Sequence, residues 1–472
     1  MPPTVSDGHD DDVPLLGSEH HFECVVYKRR WYMLFAFTSM SFMQGAMPNV
    51  WSVIAESVEP AFGWTDSTIS LMMNWIYITY LAAMFPMAWI IDYKGLRPAV
   101  LVSAALIVAG CALRCVSTHA PLVTWLAHFA HILIGLAGPV CFTAGPAISA
   151  AWFPVHQRAT ATAISIVMGY AGAAGSFIVG DGPHGHQDVT SKLLALSNKF
   201  INIYDLCESV ADLECGVMVV IFIVLLSYFP SKPDKPPSIS SASPKLNFHD
   251  GFKALFRREN ANFWLIGLPY GLSVSIYGVW SALFDVNLKD VGITERDAGW
   301  LGFYAVSAGC VAAVIMGRLA DSLQHYMKEM LLILNAGCVC CTFWFIMMVE
   351  GYLPSSHVLL YTAGILQCIC NNGPIPLYYE LAIESTYPIA EVVTSSLMTI
   401  IYNILPICFL GVFLIPNLGL SWMNWCMYGA VLLAYPLQVA FKVKLNRLHV
   451  DEEEDLTPGS VNAPVDDDPA EC

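Results

Sequence analysis

Eight polar or aromatic residues interrupt long apolar runs and could hold a small molecule: Gln44, Asn49, Trp51, Tyr170, Tyr277, Trp280, Asn371 and Asn403. Aromatic faces stack on a flat ring or on a cation, and amides bond hydroxyls, so this mixture suits binding rather than bond making. Four titratable residues lie in or beside the same runs: Asp285, Glu380, His128 and His131. A histidine titrates near pH 6.5, and a partly desolvated carboxylate moves toward that range, so either type can carry a proton between compartments. A third set marks the ends of apolar runs: Asp92, Gly95, Arg97, Arg158, Asp321 and Glu384. Short loops with a helix-end acid and a nearby arginine can latch neighbouring helices. Chemistry of bond making has no visible home, because no HExxH, P-loop or GxSxG pattern stands out, and an enzyme is not expected. No paired CxxC with zinc spacing occurs, so neither a metal nor a cofactor is expected.

The elements that position these residues are set by composition. Hydrophobic residues make up 56% of 472, and the 33 glycines lift the apolar share to about 63%, far above a soluble domain. Charged residues are only 13%, too few for a solvated shell. Soluble enzymes, nucleic-acid binders and disordered chains are excluded, and an all-α polytopic membrane protein in a lipid bilayer remains. Runs of about 20 apolar residues lie near 31–55, 69–91, 98–116, 121–150, 159–180, 213–230, 262–284, 298–317, 329–349, 356–383, 392–415 and 422–442, which makes twelve spans. Pro374 and Pro376 remove backbone donors beside Asn371, Asn372 and Gly373, so the tenth span is expected to break there. At about 1.5 Å per residue, Tyr170 and Asn403 fall near mid-bilayer. Tyr277 and Trp280, three apart, share a helix face.

The net charge of -16 is concentrated in the tails, with six acids in residues 1–27, nine in 448–472, and no Lys or Arg in either. Such segments read as solvated and disordered. With both tails cytoplasmic, seventeen basic residues lie on that side and five on the other, as the positive-inside rule requires. The domain plan is therefore an acidic tail at 1–27, a six-helix bundle at 28–230, a Pro/Ser/Lys-rich cytoplasmic linker at 231–261, a second six-helix bundle at 262–447 and an acidic tail at 448–472. The halves echo each other. Asp92-Tyr93-Lys94-Gly95-Leu96-Arg97 ends the second span, and Gly317-Arg318-Leu319-Ala320-Asp321 ends the eighth. Repeated halves are the sequence sign of a carrier that rocks about a central site. Most of the fifteen cysteines read as small packing residues, while Cys207 and Cys215 flank a loop and form a disulfide only if that loop faces an oxidising lumen. No Asn-x-Ser/Thr sequon exists.

These motifs resemble the major facilitator superfamily, through Asp92-x-x-Gly95-x-Arg97; the second copy departs, since Asp321 is not followed by Gly and Arg. A narrower resemblance is to solute carrier family 49 and its member-four branch. It is carried by Tyr27-Lys28-Arg29-Arg30-Trp31, Asp297-Ala298-Gly299-Trp300-Leu301-Gly302-Phe303, Tyr379-Glu380-Leu381 with Glu384, Tyr387 and Pro388, and Ser421-Trp422-Met423-Asn424-Trp425-Cys426. The resemblance implies twelve helices in two six-helix bundles, a lysosomal membrane, and proton-coupled export of pyridoxine (vitamin B6) by alternating access. Sister members imply an alternative, a uniporter of choline-like cations or haem, and a receptor or scaffold without flux is a further one. Relatives place pocket residues in spans one, five, seven and eleven. A pocket tryptophan of some relatives corresponds to Pro48 here, so the wall is expected from Trp51 or Trp280. Asp285 ranks first and Glu380 second as proton carriers, with Glu380 and Glu384 alternatively pairing Arg158 or Arg97 as a gate. The acidic dileucine Asp11-Asp12-Val13-Pro14-Leu15-Leu16, with its acid Asp11 and its leucines Leu15 and Leu16, is an address for sorting adaptors to lysosomes.

Overall fold

The computed structural model describes residues 24–49, 62–64, 66–117, 119, 121–179, 203–281, 284–288, 291, 293, 295–412 and 421–455. Trp51 and the sorting residues Asp11, Leu15 and Leu16 lie outside them, as do the side chains of Asn49, Cys207 and Asp285. The first-half helices are α1 (Arg30–Ala46), α2 (Asp66–Lys94), α3 (Leu96–Arg114), α4 (Leu122–Trp152), α5 (Arg158–Val179) and α6 (Ile203–Ser227). Two short helices follow, α7 (Ile239–Ala242) and α8 (Phe248–Leu255). Beyond them run α9 (Ala261–Tyr270), α10 (Ile276–Ser281), α11 (Phe284–Leu288), α12 (Glu295–Ser322), α13 (Met327–Val349), α14 (His357–Asn372), α15 (Ile375–Thr386), α16 (Glu391–Val412), α17 (Ser421–Ala440) and α18 (Asn446–Asp455). Among the described residues, eight helical segments are long and apolar enough to cross a membrane. The helix surfaces carry exposed apolar side chains such as Phe35, Ile223, Val311 and Ile333.

Prolines shape the helices that matter most. Pro269 cannot donate to the preceding turn, and the chain passes from α9 through a π-helical turn, Gly271–Ser275, into α10. The Ser273 hydroxyl donates to the Pro269 carbonyl at 2.8 Å, satisfying an acceptor that the change of register frees. Tyr270 stands at this switch and is fully buried. The tenth span breaks between α14 and α15 at Gly373-Pro374, where the proline pair predicts it.

The crossing of α1 and α5 is backbone on backbone. A Cβ on Gly45 would land on the Gly169 carbonyl, and one on Gly172 would land on the Phe42 carbonyl. Neither carbonyl can yield without moving its helix, so these glycines set the separation of the two spans. Gly172→Val is therefore expected to cost at least about 1–3 kcal/mol by overpacking. The check is size-exclusion chromatography of detergent-extracted protein; an unchanged monodisperse peak would refute the close-approach reading.

One expectation needs correction. The acidic C-terminal tail does not become a solvated segment at residue 448: α18 continues to Asp455, and its Asp451 side chain is only 5% exposed. Its helical spacing places Arg447 and Asp451, four apart, on the face that packs against the rest of the chain.

Candidate functional site

Tyrosines from both halves converge at the boundary between α2, α4 and α5 on one side and α9, α15 and α16 on the other. In the first half, Gln44 and the Tyr80 ring crowd against Gly138, where a Cβ would lie 2.7 Å from the ring and 3.2 Å from the Gln44 amide nitrogen. Phe142 bridges Tyr80 and Tyr170, with ring centroids 6.2 and 6.1 Å apart. In the second half, Tyr270 stacks on Tyr402 at 5.9 Å and meets Tyr379 and Tyr378 edge-on or tilted at 5.4 and 5.5 Å. Tyr170 faces Tyr402 across the boundary, and Tyr80 faces Thr399 of α16. The buried Tyr80 and Tyr170 hydroxyls make no well-formed hydrogen bond among the described residues. Phenol rings and their hydroxyls, with no charged group among the ring contacts of the described residues, suit a flat polar ring or a cation held by π faces.

Toward the end rich in basic residues, the halves are tied together by ion pairs and caps. Asp321, at the end of α12, accepts from the Ala159 and Thr160 amides, both at 2.8 Å, and from the Thr160 hydroxyl. It thereby caps the start of α5 from the opposite half, where free amides attract a carboxylate. Arg158 donates to Asp451 at 3.0 Å and to the Ser238 hydroxyl. Asp451 also accepts from the Ser240 amide at 2.9 Å and the Ser240 hydroxyl at 2.7 Å. Arg447 donates through Nε to Glu384 at 2.8 Å and through Nη2 to Glu380 at 2.6 Å. Glu380 accepts a second bond from Thr162 of α5 at 3.0 Å. Burial lowers the affinity of Arg447 for its proton, but the carboxylates Glu384, Glu380 and Glu391 outweigh it and hold the guanidinium above its ordinary value. Gly317 lets α12 approach α5 here, since a Cβ would sit 2.6 Å from the Ala163 Cβ.

Both clusters lie between the paired sets of helices, and sequence comparison gives the family. The Major Facilitator Superfamily profile matches residues 32–182 and 213–409. This chain belongs to that superfamily. It belongs within it to solute carrier family 49, being 36% identical over 434 residues to the solute carrier family 49 member 4 homolog of Xenopus tropicalis, covering 90% of this chain and 94% of the relative. It is also 26% identical to the choline/ethanolamine transporter flvcr2b of Danio rerio over 80% of this chain and 77% of that protein. In fold it is similar to the major facilitator transporter FucP in the outward conformation, with TM-score 0.62, 13% identity and coverage of 88% and 100%. It is likewise similar to the proton:xylose symporter XylE, with TM-score 0.61, 12% identity and coverage of 89% and 99%. The chain is thus a multi-pass transporter of the major facilitator superfamily and not an enzyme.

For this family 49 carrier, the structure separates the sequence-derived candidates. Gln44 and Tyr170 line the tyrosine cluster. Asn403, one residue from Tyr402, is buried with its amide donating to the Thr399 carbonyl at 2.7 Å. Tyr277, Trp280 and Asn371 belong instead to the interior of the second half. Trp280 packs edge-on against Phe284 and Phe345 and donates to Asn424 at 2.8 Å. Asn424 and Asn287 exchange amide bonds at 2.8 and 2.9 Å. Asn371 bonds Asn372 at 3.2 Å and lies beside Cys338, and the Tyr277 hydroxyl lies beside Cys368. Asn424→Ala would leave the Trp280 and Asn287 donors unpartnered and is expected to cost about 1–3 kcal/mol. Fluorescence melting should show this loss, while uptake per folded molecule stays within about twofold. A large uptake defect would return Trp280 to the pocket wall.

The latch and proton candidates also sort out. Asp92 accepts from the Phe248 amide at 2.8 Å, capping α8, and Arg97 donates to the Leu226 carbonyl at 3.1 Å. Gly95, at φ +92, makes the turn between them, so the Asp-x-x-Gly-x-Arg spacing serves two separate neighbours, Phe248 and Leu226, rather than one Asp–Arg pair. Glu380 and Glu384 pair with Arg447, and neither Arg158 nor Arg97 takes that role. His131 is fully buried, with Nδ1 on the Ala127 carbonyl at 2.8 Å and Nε2 without a well-formed hydrogen bond among the described residues. His128 is half-buried beside Trp125. Sequence reasoning missed Tyr80, Tyr270's partners Tyr379 and Tyr402, and the pair Arg447 and Asp451. The i, i+4 spacing of Arg447 and Asp451 was the available signal; the tyrosines had none, because they come from separate spans.

Proposed function

We propose that the protein exports pyridoxine from lysosomes together with protons, by alternating access. The observation that carries the reading is the tyrosine-lined site between the halves, where Tyr80 and Tyr170 of the first half face Thr399 and Tyr402 of the second. A pyridine ring stacks on phenol faces, and its hydroxyls bond phenol oxygens and the Gln44 amide. The family 49 member-four resemblance supports the same substrate, and the dileucine at Leu15 and Leu16 supports the lysosome. Coupling needs a group free to change charge. Glu380 is committed to Arg447 and Thr162, which leaves His128, His131 and Asp285 as carriers.

A second reading, a uniporter of choline-like cations, is favoured by the same aromatic faces and by the similarity to flvcr2b, a choline/ethanolamine transporter. Purified protein in liposomes separates the two. Labelled pyridoxine should enter faster under an imposed proton gradient, choline should compete weakly, and Tyr170→Ala and Tyr402→Ala should each cut uptake at least tenfold. Gradient-independent flux would remove coupling, and full competition by choline would favour the cation. Leu15→Ala with Leu16→Ala should move the carrier to the cell surface; persistence in lysosomes would sink the sorting claim.

A further inference from the structure

Cys215 has a sulfur neighbour on α3. The ends of α3 and α6 that face away from the basic side are pinned together by a buried ion pair, Arg114 Nη1 to Glu214 at 2.6 Å, with side-chain exposures of 3% and 11%. The opposite ends are registered by Arg97 on the Leu226 carbonyl at 3.1 Å, so the two helices run antiparallel with 114 beside 214 and 97 beside 226. The residues that follow the ion pair on each helix are Cys115 and Cys215. Both are half-buried, each one residue from a partner of that ion pair, and the Cys115 thiol has Cys215 and Asp212 among its near neighbours. Cys115 itself donates to the Cys111 carbonyl at 3.3 Å, which holds its sulfur at the end of α3. α3 leaves the basic side at Leu96, and α6 returns to it at Ser227, so both cysteines stand at the lumenal end.

We propose that Cys115 and Cys215 form a disulfide that staples the lumenal ends of spans three and six. A lumenal position exposes the pair to an oxidising compartment during synthesis, where disulfides form and persist. The balance is ordinary exchange with a protein or small-molecule disulfide. One cysteine thiolate attacks the oxidant's S–S bond and expels a thiolate; the second attacks the resulting mixed disulfide and expels the other. The two cysteines lose two electrons and two protons, and the oxidant becomes two thiols. The bridge then holds the Arg114–Glu214 pair in register. It also assigns Cys215 a partner other than Cys207, the residue that spacing alone suggests.

The test is peptide mapping of the full chain, purified from membranes, denatured and alkylated with N-ethylmaleimide without reductant. The expected result is a linked peptide pair containing Cys115 and Cys215 that disappears after reduction, with both cysteines unlabelled beforehand. Cys115→Ser should expose Cys215 to the maleimide. Labelling of both cysteines in the unreduced wild-type chain would overturn the proposal, and so would a Cys207–Cys215 peptide.

Discussion

Arg447→Met is expected to lower the stability of the protein by about 3–5 kcal/mol, because it strands two buried carboxylates at once. Glu380 and Glu384 both accept from this one guanidinium, and all three side chains are 5–7% exposed. What remains for them is the Thr162 hydroxyl and the Leu448 amide. Methionine keeps most of the arginine's volume, so the loss reports charge and hydrogen bonding rather than a cavity. The melting midpoint in detergent should fall by on the order of 3–5 °C. Adding Glu380→Gln and Glu384→Gln should recover much of the fall, since neutral amides tolerate burial better than unpaired carboxylates. A single variant that melts like the parent would show that the network contributes little.

Gly317→Leu is expected to abolish transport while leaving each half folded. The α12–α5 contact joins the two halves, and a leucine there meets the Ala159 carbonyl, 2.9 Å from where its Cβ would stand, and the Ala163 methyl. The carbonyl belongs to a helix and cannot rotate away, so α12 must lift from α5. Asp321 then leaves the Ala159 and Thr160 amides that it caps. A carrier that cannot seal its basic end cannot complete a cycle, so uptake should fall at least tenfold with little change in the amount of folded protein. Ala159 is 4% exposed, so a cysteine introduced as Ala159→Cys should be shielded from a membrane-impermeant maleimide in the parent and labelled in the Gly317→Leu background. Continued protection together with normal uptake would refute the seal.

The chain alone was most legible where a free energy is local. Transfer of a helix into lipid is close to a sum over its own residues, so the apolar runs mark the spans. The break at Gly373-Pro374 was legible for the same reason, since a missing donor and a ring clash are properties of the proline itself. Legibility failed at α18, where a run of acids resembled a solvated tail. Asp451 is held down by Arg158 from 293 positions away, and composition cannot report a partner so distant in sequence.

The central site shows the same division within a single helix. Polarity in an apolar run singles out Asn403, yet its amide is satisfied by the Thr399 carbonyl one turn back, and the neighbouring Tyr402 stacks on Tyr270. Trp280 is an aromatic at pocket depth by sequence and is instead a packed side chain bonded to Asn424. By itself the sequence determined that this is a polytopic helical carrier with duplicated halves and a set of costly polar residues in its spans. Tertiary structure alone decided which of those residues meet. Their meeting depends on the rotation and separation of each helix, and those follow from contacts such as Gly45 on Gly169 and Gly317 on Ala159, where the chain brings together backbones that are far apart along it.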